Sequence, residues 1–341
     1  MALPRLLYVY EERIPRNLRA LVESVIPTDE FELSRMTYLT PDADKARLLA
    51  EADVVLFAPG RHLPDALLAS AGRARLMQLW SSGYDKFNIA GAARAGIPVA
   101  NNGGANAISV AEHAVLLMLA VFKWLPDSHA RTVEGCWAGN SHGMDMFVLH
   151  GKTVGVYGFG NIGRHVARIC AGFGMRVLYH DITPAPAEIE AHTRAQRVDP
   201  ETLLRESDVL SLHLHLNDGT RRLIGATELA QMKPGAVLIN VSRAELVDRA
   251  ALTAALANGA LHGAGLDVHF EEPTAASDAL LTLPRVVATP HMAGSTYDAY
   301  QMALANCIDN CRRAMRGEFP WWVVNGVTPE TAVVRTGDAH A

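Results

Sequence analysis

The six residues GFGNIG, Gly158–Gly163, constrain this chain more than any other stretch of it. They fit the pattern G-x-G-x-x-G, close a β-branched run (TVGVYG) and open a helical pattern over Ile162–Phe173. In that setting each glycine has a steric task. Gly158 allows a tight turn, Gly160 lets the backbone approach a pyrophosphate, and Gly163 lets helix and strand pack closely. A diphosphate then meets the free N–H groups and the positive dipole end of the helix. The pattern alone is weak evidence. It gains force from the next strand-like run, RVLYHD, which ends in Asp181, 18 residues past Gly163. An acid about 20 residues on is suited to the adenosine ribose hydroxyls and repels a 2′-phosphate. The motif predicts a dinucleotide site that takes NAD, with NADP disfavoured.

The surrounding sequence repeats the alternation of strand and helix. DVLSLHL (208–214), AVLINV (236–241), GAGLDV (263–268) and RVVATP (285–290) read as buried strands, with a helical pattern at Arg249–Asn258. This predicts a doubly wound parallel sheet with right-handed crossovers. RLLYVY, VVLFAP, RLMQLW and IPVANN repeat the style in the first hundred residues, so a second α/β unit is expected. A chain of 341 residues, 49% hydrophobic and 20% charged, suits two such domains. Between them, NAISVAEHAVLLMLAVFKWL carries Ser109 and Glu112 at capping-box spacing, which predicts a helix start. Its nearly all-round apolar surface predicts burial between the domains. A further helix is expected over Ala293–Arg316, then an extended EFPWWVVNGV. The polar, patternless end (331–341) is expected to be loose.

Several classes are disfavoured. The net charge is −5 and no basic run tracks a phosphate backbone, so nucleic acid is not an expected partner. The N-terminal residues lack a secretory pattern. The most apolar stretch, Ala114–Phe122, falls short of the roughly 20 residues of a membrane span, so a soluble cytoplasmic protein is expected. Cys307 and Cys311 share a helical face, but no further ligands complete a metal site. Cys136, Cys170, Cys307 and Cys311 are read as free thiols, and no metal is expected.

In doubly wound sheets ligands bind beyond the carboxyl ends of the strands. Three successive predicted strands deliver Arg243, the pair Glu271–Glu272, and His291 to that edge. Each has a plain reading as a surface or loop residue. Together, beside the glycine turn, they are much less easily explained as an accident. Neighbouring side chains of an extended segment point to opposite sides, so only one of the two glutamates can face His291.

At these residues the chain resembles the D-isomer-specific 2-hydroxyacid dehydrogenase family, with its glyoxylate/hydroxypyruvate reductases and phosphoglycerate dehydrogenases. The matching stretches are SSGYDKFNI, NAISVAEH, GKTVGVYGFGNIG, ESDVLSLHLHLNDGTRRLIG, MKPGAVLINVSRAELVDRAAL, GAGLDVHFEEP and ATPHMAGST, in family order over most of residues 80–300. The resemblance implies a Rossmann NAD-binding domain (103–292) inserted into a flavodoxin-like substrate domain (1–102 plus 293–330). It also implies an active site in the cleft between them and a homodimer. It puts the catalytic roles on Arg243, Glu272 (the glutamate before proline) and His291. It assigns the cofactor to Gly158, Gly160, Asn161, Ile162, Gly163, Asp181, Val241, Ser242 and Asp267, the last toward the nicotinamide carboxamide. The substrate carboxylate falls to Ser82, Gly83 and Arg243. The implied reaction moves a hydride between the nicotinamide and C2 of a D-2-hydroxy or 2-keto acid. His291 serves as general acid or base, and its Glu272 partner favours the imidazolium.

Two departures stand out. Ala244 replaces a usual glycine after the arginine, and His215 replaces a usual proline and is read as a packing residue. His113, His142, His150 and His262 have no partner constellation and are read as structural or surface residues. Formate dehydrogenases resemble the fold but carry Gln at the position of Glu272, and phosphonate dehydrogenases carry Lys where Ser82 stands, so both are disfavoured. From another class, transcriptional corepressors of NAD(H)-sensing type share the fold and the trio; this chain adds no extended interaction tail. Arg61, near the expected substrate loops, is read as a surface residue, with a second anionic group as the alternative.

Overall fold

The computed structural model describes residues 2–137, 139, 142–328 and 331–332. The chain divides into two units, one of residues 1–106 and 297–341, the other of 107–296. The second unit is thus an insertion within the sequence of the first. Both divisions fall four residues C-terminal of the expected 102/103 and 292/293. Most of the end expected to be loose, 333–341, lies outside the described residues.

In the first unit β1 (Arg5–Tyr10), β2 (Glu32–Thr37), β3 (Val54–Ala58), β4 (Leu76–Leu79) and β5 (Val99–Ala100) form a parallel sheet in the order β2-β1-β3-β4-β5. That is the flavodoxin-like order, with a switch point between β1 and β3. β3 and β4 are buried at every position, which is why they read as continuous apolar runs. β2 was not anticipated. Its sequence ELSRMT lies at the sheet edge with mostly accessible side chains, so nothing required it to be apolar.

The C-terminal helix Tyr297–Met315 completes this unit. It buries Cys307 and Cys311 against Leu6, Leu56 and Leu76. Buried amides fix its register: Asn310 Nδ2 donates to Gln78 Oε1 at 2.9 Å, and Asn102 Nδ2 to the Ala303 carbonyl at 2.9 Å. The helix starts four residues later than the expected Ala293. The Met292 and Ala293 N–H groups before it donate to the Asp267 carboxylate.

In the second unit β6 (Thr153–Tyr157), β7 (Arg176–His180), β8 (Ala195–Arg197), β9 (Val209–Leu212), β10 (Ala236–Asn240), β11 (Leu261–Leu266) and β12 (Val286–Ala288) form a parallel sheet, β12-β11-β10-β9-β6-β7-β8. This is the Rossmann order extended by one strand. Alternate residues feed two cores, as the two-residue period requires. Val209, Val237 and Ile239 pack with helices Ala107–Phe122 and Asn161–Gly172, whereas Leu210, Leu212 and Leu238 pack with Leu203, Leu229 and Leu252. The three-residue edge strand β8 was missed for the same reason as β2.

The helix expected to start at a Ser109 capping box starts earlier, at Ala107. Ser109 Oγ does not cap it; the hydroxyl donates to the Ala293 carbonyl at 2.6 Å. The helix packs on the sheet of its own unit, opposite β10, β11 and β12. Among the described residues no single helix is long and apolar enough to cross a membrane.

Candidate active site

Gly158 follows β6 with φ +94°, and a Cβ there would lie 2.6 Å from the His213 carbonyl oxygen. A Cβ on Gly163 would lie 2.2 Å from the Gly158 carbonyl oxygen, so the first turn of the helix rests on the glycine loop itself. Gly160 differs. Its φ is −74° and a Cβ would meet no atom within 4 Å. No intramolecular contact explains the missing side chain, which leaves open space in front of the N-terminus of Asn161–Gly172. That space suits a group approaching the backbone closely, as a pyrophosphate does.

Asn161 is the first residue of this helix, and Ile162 is turned toward the core behind it. Asp181 follows β7 and folds back on the loop. Its Oδ2 accepts from the Phe159 N–H at 2.6 Å and its Oδ1 from Thr183 N–H at 3.1 Å. Arg197, on the neighbouring β8, donates to the Asp181 carbonyl at 3.0 Å. The sequence did not single out Arg197, because the edge strand that carries it was not legible.

The catalytic candidates rise from three adjacent strands, β10, β11 and β12. β10 ends in Asn240, and Val241 is buried behind it. Ser242 Oγ donates to the Leu212 carbonyl at 2.8 Å, stitching the ends of β9 and β10 together. Asn240 Nδ2 donates to the Arg243 carbonyl at 2.8 Å and Arg243 Nη1 to the Ser242 carbonyl at 2.7 Å. Ala244 is buried and opens a short 3₁₀ turn without positive φ, so its backbone is one that a residue with a Cβ adopts readily.

Glu272 and His291 are brought together: His291 Nδ1 lies 2.8 Å from Glu272 Oε1. The side chains are 43% and 28% exposed, so the pair is reachable from solvent. His291 has φ +53°, an uncommon value for a residue with a Cβ. Glu271 makes no hydrogen bond or ion pair among the described residues and is exposed. Of the two glutamates, Glu272 is the one in contact with His291.

Two details were not legible in the sequence. Asp267, at the end of β11 and 1% exposed, anchors the loop bearing His291. Its Oδ1 accepts from Thr289 Oγ1 at 2.6 Å and from Met292 N–H at 2.9 Å, and its Oδ2 from Ala293 N–H at 2.8 Å. His113 was read as having no partner, yet its Nε2 lies 2.9 Å from Thr289 Oγ1. The helical spacing groups it with Ser109 but does not name the partner. Ser109 and His113 are four apart on one helical face, and both reach the segment 289–293. His215, expected to pack, is exposed.

In the first unit Ser82 and Gly83 follow β4 in a half-buried turn. Asn101 Nδ2 donates to the Ser82 carbonyl at 2.8 Å, and Ser82 Oγ to Asn106 Oδ1 at 2.9 Å. Among the described residues the Ser82 and Gly83 N–H groups donate to no acceptor. No group of three or more His, Cys, Asp or Glu among the described residues is arranged to hold a metal ion.

Comparison with known proteins accords with this geometry. The family model for "D-isomer specific 2-hydroxyacid dehydrogenase, NAD binding domain" matches residues 115–293. A glyoxylate reductase of Thermococcus litoralis is 36% identical over 92% of this chain and 95% of its own. A glyoxylate/hydroxypyruvate reductase B of Serratia proteamaculans is 35% identical over 91% of this chain and 94% of its own. Among solved structures, the holo form of Rhodotorula graminis D-mandelate dehydrogenase superimposes with a TM-score of 0.83 at 25% identity, covering 96% of this chain and 99% of that one. The chain belongs to the D-isomer-specific 2-hydroxyacid dehydrogenase family.

Proposed function

We propose that this protein is an NAD-dependent 2-keto acid reductase that interconverts a 2-keto acid and the D-2-hydroxy acid, with Arg243, Glu272 and His291 as its catalytic residues. The observation that carries the reading is the 2.8 Å pair between His291 and Glu272 on strand ends adjacent to that of Arg243. The nicotinamide, when bound, supplies or accepts the hydride at C2.

With Nδ1 engaged by Glu272, His291 Nε2 is the atom that gives a proton to the C2 oxygen in reduction and removes it in oxidation. The carboxylate beside the ring fixes its orientation and tautomer. Arg243 offers a planar fork suited to the substrate carboxylate and to the oxygen on which charge develops. Ser82 and Gly83, whose N–H groups have no acceptor among the described residues, hold the carboxylate. On the nucleotide side, Gly158, Gly160, Asn161, Ile162 and Gly163 form the diphosphate cradle, with Val241 and Ser242 beside it. Asp181 takes the ribose hydroxyls, which favours NAD over NADP. Asp267 Oδ2 retains acceptor capacity for the carboxamide. The exposed apolar side chains Leu125, Val133, Trp137, Met144 and Val148 support a homodimer as the working assembly.

The test is NADH and NADPH consumption with glyoxylate, hydroxypyruvate, pyruvate and bulkier branched 2-keto acids. Steady turnover with NADH is expected. NADH binding without turnover of any acid would overturn the reading in favour of a nucleotide-sensing binding protein.

A further inference from the structure

The sequence left Arg61 as a surface residue, but it does not stand alone. Arg61 follows β3 and Glu11 follows β1. These strands are neighbours, with Tyr10 opposite Ala58. They flank the switch point of the first sheet, the place where open α/β sheets bind ligands. Arg61 Nε donates to Glu11 Oε1 at 2.5 Å, and the two side chains are 41% and 31% exposed. The adjacent Glu12 faces elsewhere, accepting from the Leu39 N–H at 2.8 Å. The Arg61 backbone is also held: its N–H donates to Tyr38 Oη at 3.0 Å, and that hydroxyl donates to the Pro59 carbonyl at 2.7 Å.

The same loop leans on the strand that leads to Ser82 and Gly83. A Cβ on Gly60 would lie 2.9 Å from Leu79 Cδ2, and the Trp80 N–H donates to the Phe57 carbonyl at 2.9 Å. Neighbouring strands lie about 4.8 Å apart, comparable to the reach from the carboxylate of a three-carbon keto acid to its C3 substituent. Among the described residues the Arg61 Nη groups make no hydrogen bond. The pair therefore offers N–H donors with the positive charge already offset by Glu11.

We propose that the Glu11–Arg61 pair selects the substituent on C3 of the 2-keto acid, accepting a small neutral hydrogen-bond acceptor such as a hydroxyl and rejecting a second anionic group. A lone arginine there would recruit a dianion; Glu11 holds the guanidinium through Nε and repels a second carboxylate. The proposal rests on the functional reading above and adds its substrate preference.

The experiment compares kcat/KM for hydroxypyruvate, 2-ketobutyrate and oxaloacetate with NADH in the full-length chain, Glu11→Gln and Arg61→Met. Glu11→Gln is expected to raise the oxaloacetate-to-hydroxypyruvate ratio by about tenfold or more, because it frees the guanidinium. Arg61→Met is expected to lower that ratio, leaving Glu11 unpaired, and to narrow the preference for hydroxypyruvate over its methyl isostere 2-ketobutyrate. NADH affinity should hold in both variants, which shows that each is folded. Ratios unchanged in both, with hydroxypyruvate turnover intact, overturn this proposal alone. A wild-type chain that reduces no 2-keto acid overturns the functional reading and this proposal with it.

Discussion

His113 Nε2 donates a hydrogen bond to Thr289 Oγ1 at 2.9 Å. The direction follows from proton counting. Thr289 has one hydroxyl proton and gives it to Asp267 Oδ1, 2.6 Å away, a group that only accepts when ionised. The hydroxyl can then only accept from His113, which fixes the histidine tautomer. The chain of contacts ends two residues before His291, on a segment also held by Ser109 through Ala293. His113 is therefore a positioning residue. Replacing it with Leu is expected to lower kcat by roughly ten- to a hundredfold, since misplacement by about 1 Å carries that cost. NADH affinity should change little. His113→Gln, which keeps a donor, should recover much of kcat. Equal losses in the two variants would show that the hydrogen bond does not position His291.

Glu272 and Glu271 differ by one position in sequence and by everything in contact. Glu272→Gln replaces the carboxylate that holds His291 Nδ1 at 2.8 Å with a neutral amide that can turn away from the ring. Its kcat should fall by roughly ten- to a hundredfold, the scale of a misplaced acid–base group, with NADH affinity nearly unchanged. Glu271→Gln should leave kcat in place. Matching losses in both would overturn the assignment.

Arg243 is expected to act on the substrate and not on the nucleotide. Arg243→Ala should lower kcat/KM by about 10²- to 10³-fold, the usual scale for removing one preorganised donor to developing charge. Titration by NADH fluorescence should give nearly unchanged affinity. Arg243→Lys should remain well below wild type, because an ammonium cannot reproduce the planar fork. Full activity in either variant would exclude the role.

Much of this was legible in the chain because both sheets are buried on two faces. Strands such as VVLFA and AVLIN had to be continuous apolar runs, and the glycine turn had to be glycine wherever His213 or the loop itself fills the space of a side chain. What escaped notice carried no such constraint. β2 and β8 are polar edge strands. Ser109 fits a capping box, but its hydroxyl serves a tertiary contact with Ala293. His113 and Asp267 are 154 residues apart, and no local pattern reports a partner at that range. The pairing of Glu11 with Arg61 was hidden in the same way, since it depends on two strands that are neighbours in space but not in sequence.

His213 bears on stability and not on the reaction. Its Nε2 is 2.8 Å from Ser211 Oγ, and its Nδ1 is sealed from solvent without a partner among the described residues. Burial pushes its pKa down from 6.5 to about 3. In the unfolded chain the ring takes up a proton as pH falls below about 6.5, whereas the folded chain resists until about 3. Its contribution is thus complete above pH 6.5 and is lost progressively across that window. His262 and His165, also shifted down by burial, add to the same slope. His213→Gln keeps a polar group near Ser211 but cannot titrate. Thermal midpoints measured from pH 7.5 to pH 4.5 should therefore fall less steeply in His213→Gln than in wild type, even if the variant starts from a lower midpoint at neutral pH. Parallel curves would mean that His213 is protonated in the folded state at mildly acidic pH, and that the ring is better solvated than its surroundings indicate.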